Sequence, residues 1–203
     1  MDLTIIFKIS ILIISVMIHE ISHGYMALFW GDRTAQYEGR LTLNPIKHID
    51  IFGSIIIPAL MFLSGTDFIF GWAKPVPYNP YNLRRRNIAE PFVALAGPLS
   101  NIIVAAILSI ILRVGLAFSL PEAMGTLLVY AVLINISLAI FNMMPVPGFD
   151  GYKIYSAFLP DQIKLSLQSL EKYWIIFALA FVLFASPFFV TIVEWVFRVF
   201  IVI

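Results

Sequence analysis

Two histidines and a glutamate lie together near the start of the chain, in the sequence His19-Glu20-Ile21-Ser22-His23. On a helix, histidines at i and i+4 lie on the same face, one turn apart. Two imidazoles spaced in this way hold one Zn²⁺ ion, and the adjacent glutamate reaches a water at the metal as general base. A chance match to this spacing has odds on the order of one in a thousand. The motif therefore predicts a zinc site.

The segments on both sides of this motif, 13–18 and 25–28, are largely apolar. An ionisable residue inside a membrane-spanning helix costs about 2.5–3.5 kcal/mol on insertion scales, so three within five positions need compensation. A bound divalent metal would supply that compensation. The alternative is a helix end whose polar residues face water at the membrane surface, and it fits the apolar flanks poorly.

A third metal ligand has to come from elsewhere in the chain, because a catalytic zinc takes three protein ligands and a water. The chain has no cysteine, which leaves an aspartate, a glutamate or His48. Asp150 is the best candidate, since it lies in a stiff proline- and glycine-rich turn at 145–151. On the residues alone, an ordinary turn or helix-cap aspartate is an equal alternative. His48 and Asp50 are rivals, although a solvated loop is the favoured interpretation of both.

The composition indicates where this site must lie. Of the 203 residues, 61% are hydrophobic and only 12% are charged, against about 45–50% and 25% in soluble domains. A soluble globule of this size cannot bury so much apolar surface, and a disordered chain has low hydrophobicity. What remains is an integral membrane protein with at most roughly six or seven spans. The net charge of +1 does not indicate a nucleic-acid partner.

The zinc-binding motif needs a helix to carry it, and the apolar run at 3–29 predicts one. Its acidic start and lack of a small-residue cleavage site favour a permanent helix over a signal peptide. Residues 37–44 alternate between apolar and polar side chains, which predicts a short strand. Residues 51–64 are apolar but short and contain Pro58, which suits a re-entrant or interfacial segment. A basic, turn-rich loop follows at 65–90.

The second half of the chain predicts two strong spans, 91–113 and 124–144, and then a loop or surface helix. The final stretch, 173–203, is either one kinked helix or two shorter membrane segments. The fold class is therefore an all-α polytopic membrane protein of about four to six membrane segments, with a short β-hairpin or strand near the site. We expect one membrane-embedded domain, 1–203, with its core in 3–151 and the C-terminal segments outside that core.

The topology follows from the basic residues, which cluster in 74–86 and again in 153–172. Both loops should therefore be cytoplasmic, and a hairpin of two spans between them is consistent with this. If 51–64 does not cross the membrane, the end of helix 3–29 and the start of loop 145–172 lie at the same face. If it does cross, the proposed ligands lie on opposite faces and the site fails.

At this point the chain resembles the site-2 protease family of intramembrane zinc metalloproteases, and most closely its short prokaryotic branch without a PDZ or CBS domain. Two motifs carry the resemblance: His19-Glu20-x-x-His23 and Asn142-x-x-Pro145-x-x-x-x-Asp150-Gly151. Further similar blocks are Asn44-Pro45-x-x-His48-Ile49-Asp50, Gly71-Trp72-Ala73-Lys74-Pro75-Val76-Pro77 and Gly97-Pro98-Leu99-Ser100-Asn101.

The resemblance implies that His19, His23 and Asp150 bind one Zn²⁺ per chain and that Glu20 is the catalytic base. It also implies that Asn142 lies near the site and helps to hold the substrate or the oxyanion. From the sequence alone, Asn142 is equally a polar residue that joins helices. We interpret the Gly97–Asn101 block as packing against the motif helix.

The expected activity is hydrolysis of peptide bonds within or near transmembrane segments of membrane proteins, as in regulated intramembrane proteolysis. The expected partners are a transmembrane protein or peptide substrate and the lipid bilayer, with no nucleic acid and an undetermined oligomeric state. The expected location is the plasma or inner membrane, multi-pass, with the active site toward the cytoplasm. A strand at 37–44 would offer an edge to an extended substrate, although a plain structural hairpin is as good an interpretation.

Two other functional classes fit parts of the pattern. Histidine, glutamate and aspartate inside a membrane also mark ion pathways, so a metal transporter or channel is the main alternative. Transporters usually contain internal repeats, and this sequence has none that we detect. A catalytically dead relative that only binds membrane helices is the third class, and the intact Glu20 and Asp150 argue against it.

Overall fold

The computed structural model describes residues 3–63 and 72–202, and this part of the chain contains α-helices and short helical turns but no strand. The α-helices are α1 (Leu3–Phe29), α2 (Thr34–Tyr37), α3 (Ile57–Leu63), α4 (Arg86–Ala117), α5 (Glu122–Asn142), α6 (Asp150–Ser156), α7 (Asp161–Gln168) and α8 (Trp174–Val202). The prediction of a helix at 3–29 is confirmed at both ends. The loop that was predicted at 65–90 lies partly outside the described residues.

Three of these helices are long and apolar enough to cross a membrane: α1 over Ile6–Phe29, α4 and α5. The two predicted spans at 91–113 and 124–144 correspond to α4 and α5, and α4 is longer than predicted at both ends. α8 is a single continuous helix of 29 residues with Pro187 inside it. The alternative of two shorter C-terminal segments is therefore wrong.

Helix α4 lies at the centre of the molecule and packs against α1, α5 and α6. Its contact with α1 is made by small residues: Ala89 packs on Ala27, and Gly97 lies against the two motif histidines. Small side chains let two helix backbones approach closely. The interpretation of the Gly97 block as a packing surface for the motif helix is confirmed.

A second core lies further from the motif and joins three helices. It consists of Ala105 from α4, Val132 and Ile136 from α5, and Val193 from α8. All four side chains are buried, and apolar residues of α8 surround them. The C-terminal helix is therefore packed onto the same bundle as the helices that carry the predicted site.

The predicted strand at 37–44 is wrong. The helical turn α2 ends at Tyr37, and residues 38–44 form turns and irregular backbone. At the start of α2, Asp32 Oδ1 accepts hydrogen bonds from the N–H and the hydroxyl of Thr34 at 3.1 and 2.6 Å. In that alternation Tyr37 is on the apolar side and Arg40 on the polar side, so a half-buried strand would bury Tyr37 and expose Arg40. Tyr37 is 78% exposed, whereas Arg40 is 5% exposed. These residues therefore offer no apolar face to a half-buried strand. The predictions of a hairpin here and of a strand edge that pairs with the substrate are also wrong.

Asp32 ties the end of α1 to the segment that leads into α4. Besides the two bonds from Thr34, it accepts hydrogen bonds from the N–H of Asn79 at 2.7 Å and from Nδ2 of Asn82 at 2.9 Å. Burial alone would raise the pKa of Asp32, but these hydrogen bonds hold the pKa below its ordinary value. Asp32 is therefore a charged anchor beside the membrane helix.

The apolar stretch after Asp50 is a short helical segment. Residues Ile51–Ile56 form a wide helical turn that continues into α3, and Asp50 Oδ1 accepts a hydrogen bond from the Gly53 N–H at 2.7 Å. At about 1.5 Å per residue, the run to Leu63 is roughly 20 Å long. The hydrocarbon core is about 30 Å thick, so this length is short for a crossing.

Candidate metal centre

The two motif histidines lie on one face of α1, as an i, i+4 pair should. Their ring centroids are 4.7 Å apart, and their Nε2 atoms are 3.1 Å apart. His19 is 5% exposed and His23 is 8% exposed, although both lie in a helix of span length. Two imidazole nitrogens are thus directed to one buried point between α1 and α4.

Asp150 reaches the same point from the other end of the chain. Its Oδ2 atom lies 3.0 Å from His19 Nε2 and 3.2 Å from His23 Nε2. Asp150 is the first residue of α6, directly after the turn that contains Gly148 at φ +95°. Gly151 packs so closely on the Met143 carbonyl that any side chain there would overlap it. The turn after α5 is therefore shaped to bring this carboxylate against α1.

The electrostatics of Asp150 suit a metal ligand. Burial alone would raise its pKa, but the imidazoles of His23 and His19 hold the pKa below the usual range of a carboxyl group. The carboxylate is therefore ionised, which is the form that binds a metal.

The donor set fits zinc. Zinc–ligand bonds of 2.0–2.1 Å in a tetrahedral site place neighbouring ligand atoms about 3.3 Å apart. The distances among His19 Nε2, His23 Nε2 and Asp150 Oδ2 are 3.0, 3.1 and 3.2 Å. Gly97 leaves the space open, because a Cβ at that position would lie 2.6 Å from His19 Nε2 and closer still to His23 Nε2. Among the described residues, this trio forms the one cluster of histidine, aspartate and glutamate side chains that could hold a metal.

The second nitrogen of each imidazole also has a partner. His23 Nδ1–H donates to the carbonyl oxygen of Val93 at 2.7 Å, and His19 Nδ1–H donates to Asn101 Oδ1 at 2.6 Å. A proton held on Nδ1 leaves the Nε2 lone pair free for a metal. Both outer partners belong to α4, so that helix orients both rings.

Glu20 lies beside this cluster and is held by the backbone of a loop. Its Oε2 atom accepts a hydrogen bond from the Val76 N–H at 2.8 Å. The loop is an extended segment at 72–79, and Arg40 Nη2 secures it by donating to the carbonyls of Lys74 and Pro75 at 2.9 and 3.1 Å. The general-base candidate is thus positioned by a loop that covers the site.

A cavity of about 150 Å³ connects these groups, and the three metal-ligand candidates, Glu20 and Asn142 all line it. Asn142 donates one Nδ2 hydrogen to the Leu138 carbonyl of its own helix at 2.9 Å. The amide group has a second N–H. A substrate contact from Asn142 therefore stays a prediction.

The rival candidates His48 and Asp50 lie outside the cluster. His48 is buried, and its Nε2–H donates to the Thr42 carbonyl at 2.8 Å. Asp50 begins a helical segment and bonds Gly53. The expectation of a solvated loop is wrong for His48, whose role is nevertheless structural because its ring ties two parts of a turn together.

Sequence reasoning missed two residues of the cavity wall, Lys153 and Tyr78. The Lys153 ammonium lies 5.3 Å from the centre of the Tyr78 ring. Burial alone would lower the pKa of Lys153, but Tyr78 and Asp150 raise it above its ordinary value. The available signal was the spacing of Lys153, which follows Asp150 by three positions and so shares its helix face.

Comparisons with known proteins point to one family. Residues 119–185 match the model of Peptidase family M50. A Bacillus subtilis protein, YwhC, is 37% identical over 182 residues, which are 87% of this chain and 78% of that protein. MJ0611 of Methanocaldococcus jannaschii is 30% identical over 73% of this chain and 72% of its own length. Rip2 of Mycobacterium tuberculosis H37Rv is 26% identical over 91% of this chain and 70% of its own length. All three carry the name putative zinc metalloprotease. No solved structure gave a significant match.

Proposed function

From the premise that this chain belongs to peptidase family M50, the site-2 protease family, we propose which residues perform its chemistry and at which membrane face they act. The protein is an intramembrane zinc metalloprotease. None of the relatives supports the metal-transporter alternative.

We assign the zinc ligands to His19, His23 and Asp150 and the catalytic base to Glu20. The observation that carries this assignment is their convergence: the three donor atoms lie within 3.2 Å of one another, and Glu20 shares their cavity. When bound, zinc supplies a Lewis acid for the scissile carbonyl and lowers the pKa of water toward 7.

The chain's own residues then perform the proton transfers. Glu20 accepts the proton of the attacking water and returns it to the leaving amine. The hydrogen bond from the Val76 N–H to Oε2 orients this carboxylate, and Oε1 accepts no hydrogen bond from the described residues, which leaves it free for the proton. Asn142 supplies its second N–H to the substrate carbonyl or the oxyanion.

We propose that the protein acts in the cell membrane, plasma or inner, as a multi-pass protein with its site toward the cytoplasm. Helix α8 is a fourth span, because its 29 residues exceed the length of a crossing. The segment 51–63 stays on the site's side. Lys74, the run 84–86 and Lys153 then lie at one face, as the positive-inside rule requires. The whole chain, 1–203, acts as one membrane-embedded domain.

The substrates we propose are transmembrane proteins cut in or near a span, as in regulated intramembrane proteolysis. Peptide groups in a membrane helix are already hydrogen-bonded within the helix, so the substrate must unwind locally before it reaches the metal.

Purified protein in liposomes with a single-span model substrate tests this assignment. Glu20→Gln should lower the cleavage rate by about 100- to 10,000-fold while zinc remains bound, and chelation should abolish cleavage until zinc is restored. Glu38→Gln, at an exposed glutamate, is the matched control and should cleave normally. Full cleavage by Glu20→Gln would refute the role of Glu20 as the base. Zinc uptake into the liposomes without proteolysis would instead support the metal-transporter alternative.

A further inference from the structure

A chain of buried amides runs from the interior of the helical bundle to one of the proposed zinc ligands. Asn101 of α4 and Asn135 of α5 are 0% and 1% exposed, and Ser15 of α1 is 3% exposed. Asn101 Nδ2 donates to Asn135 Oδ1 at 2.9 Å and to the Ser15 carbonyl at 3.2 Å. Asn135 Nδ2 donates to the Ala131 carbonyl and to Ser15 Oγ, both at 2.9 Å. Three membrane helices therefore meet in one polar network.

The backbone carbonyls of Ala131 and Ser15, which accept hydrogen bonds from this amide network, permit only one orientation of each amide. A carbonyl oxygen only accepts, so the side of Asn135 that faces Ala131 must be its NH₂ group. The Oδ1 atom of Asn135 then faces Asn101, which must present its own NH₂ group there and toward Ser15. Asn101 Oδ1 is left to face His19. A flipped Asn101 would bring its oxygen against two acceptors at once.

From this arrangement we infer that Asn101, oriented by Asn135 and Ser15, is a positioning residue that fixes the His19 proton on Nδ1 and so keeps the Nε2 lone pair available to the metal. The inference rests on the proposed assignment of His19 as a zinc ligand. Asn101 does not touch the metal position, because its contact with His19 is on the opposite side of the ring, at 2.6 Å from Nδ1.

The role goes beyond joining helices. An amide that only joined helices could hydrogen-bond to any polar group on the neighbouring helix. Here the acceptor atom of Asn101, Oδ1, is bonded to the His19 ring, and the other nitrogen of that ring lies 3.0 Å from Asp150. Partners of this kind orient a ligating histidine and raise its basicity, and their loss typically costs 10–100-fold in metal affinity.

The test compares zinc affinities, measured by competition with a chelator, for wild type and a set of variants. Asn101→Leu removes the acceptor and should weaken zinc binding by about 10- to 100-fold. Asn101→Gln keeps both an acceptor for His19 and an NH₂ group for Ser15 and Asn135, and it should bind zinc more tightly than Asn101→Leu. Ser109→Ala is the control, since Ser109 is a buried polar residue on the same helix whose hydroxyl donates to the Ala105 carbonyl. The zinc affinity of this variant should be unchanged.

Two further measurements separate positioning from structural damage. Excess zinc should restore cleavage by Asn101→Leu, because a misplaced proton competes with the metal, whereas a misfolded site would stay inactive. The chain has three histidines, so ¹⁵N spectra of metal-free Asp150→Ala at alkaline pH are simple to assign with His48→Gln. This variant lacks the carboxylate that lies 3.0 Å from His19 Nε2 and would itself attract the ring proton. In it His19 should be protonated on Nδ1, and adding Asn101→Leu should produce a mixture of tautomers.

The outcomes are distinct even if Asn101→Leu does not fold. A His19 protonated on Nε2 in Asp150→Ala with Asn101 intact would overturn the inference without any Asn101 variant. Asn135→Leu acts one bond further away and should weaken zinc binding less than Asn101→Leu, because the Ser15 carbonyl still orients Asn101. Wild-type zinc affinity in both leucine variants would overturn the inference and leave the proposed function intact. Failure of wild type itself to bind zinc would overturn the proposed function.

Discussion

Replacing Gly97 with alanine should destroy the metal site by adding a single methyl group. Inside a helix, this change normally stabilises a protein by about 0.5–1 kcal/mol, because alanine loses less backbone entropy. Here the added Cβ would lie 2.6 Å from His19 Nε2 and closer to His23 Nε2. The methyl group would therefore occupy the space beside the atoms that we propose as metal ligands.

The size of the effect follows from these distances. Non-bonded heavy atoms prefer separations of about 3.5–4.0 Å, so relieving a contact at 2.6 Å requires roughly 1 Å of movement. Metal–ligand distances tolerate only about ±0.2 Å. We therefore expect zinc affinity to fall by at least about 100-fold, at or beyond the upper end of the range for outer-shell changes. Overpacking at the α1–α4 contact should also cost about 1–3 kcal/mol of stability.

Zinc affinity by chelator competition and thermal unfolding of the zinc-free protein measure the two effects separately. Gly125→Ala is the matched control, because the nearest atom to a Cβ there is 3.9 Å away in Leu120. That variant should bind zinc as wild type does. Equal zinc affinity in Gly97→Ala and Gly125→Ala would refute the conclusion that α4 forms one wall of the metal position.

Three other predictions concern the residues around the site. Asp32→Asn should lower the free energy of unfolding by about 1–3 kcal/mol near pH 7, because the hydrogen bonds to a charged carboxylate are lost. The pKa of Asp32 is lower in the folded protein than in the unfolded chain, so its ionised form stabilises the fold. This stabilisation is complete above the unfolded pKa of about 3.9 and is lost as the pH falls through the folded pKa. The difference in melting temperature between wild type and Asp32→Asn should therefore narrow below about pH 4, and a constant difference would contradict this. Arg40→Met should slow cleavage by about 10- to 100-fold by releasing the loop that holds Glu20, with zinc content unchanged by metal analysis; loss of zinc would contradict it. Removing zinc should lower the stability of wild type by about 2.7 kcal/mol at a zinc concentration of 100 times Kd, and Asp150→Asn should unfold identically with and without chelator.

The parts of the fold that could be predicted from the sequence are those set by local periodicity. Helix α1 and the shared face of His19 and His23 depend only on apolar content and on the 3.6-residue helical repeat. Asp150 is different, because it lies 131 residues from His19. Counting membrane crossings predicted its face of the membrane, and only the resemblance to a family selected it over an ordinary turn aspartate.

The predictions that failed involve side chains whose partners are distant in sequence. Residues 37–44 alternate like a strand, but Arg40 is drawn inward by carbonyls 34 and 35 positions away. His48 is buried for a similar reason, in a turn closed by Thr42. The partners of Asn101 lie 34, 82 and 86 positions away on two other helices. No local pattern specifies which of several polar residues in a membrane helix will face one another.

Synthesis of the chain delivers the two parts of the metal centre at different times. The histidines of α1 leave the ribosome 131 residues ahead of the carboxylate of α6. At about 5–20 residues per second, this interval is roughly 7–26 s. During this interval the nascent chain contains the two histidines and the glutamate of the motif but lacks the third proposed ligand. The metal site as proposed therefore cannot assemble until α6 has been synthesised.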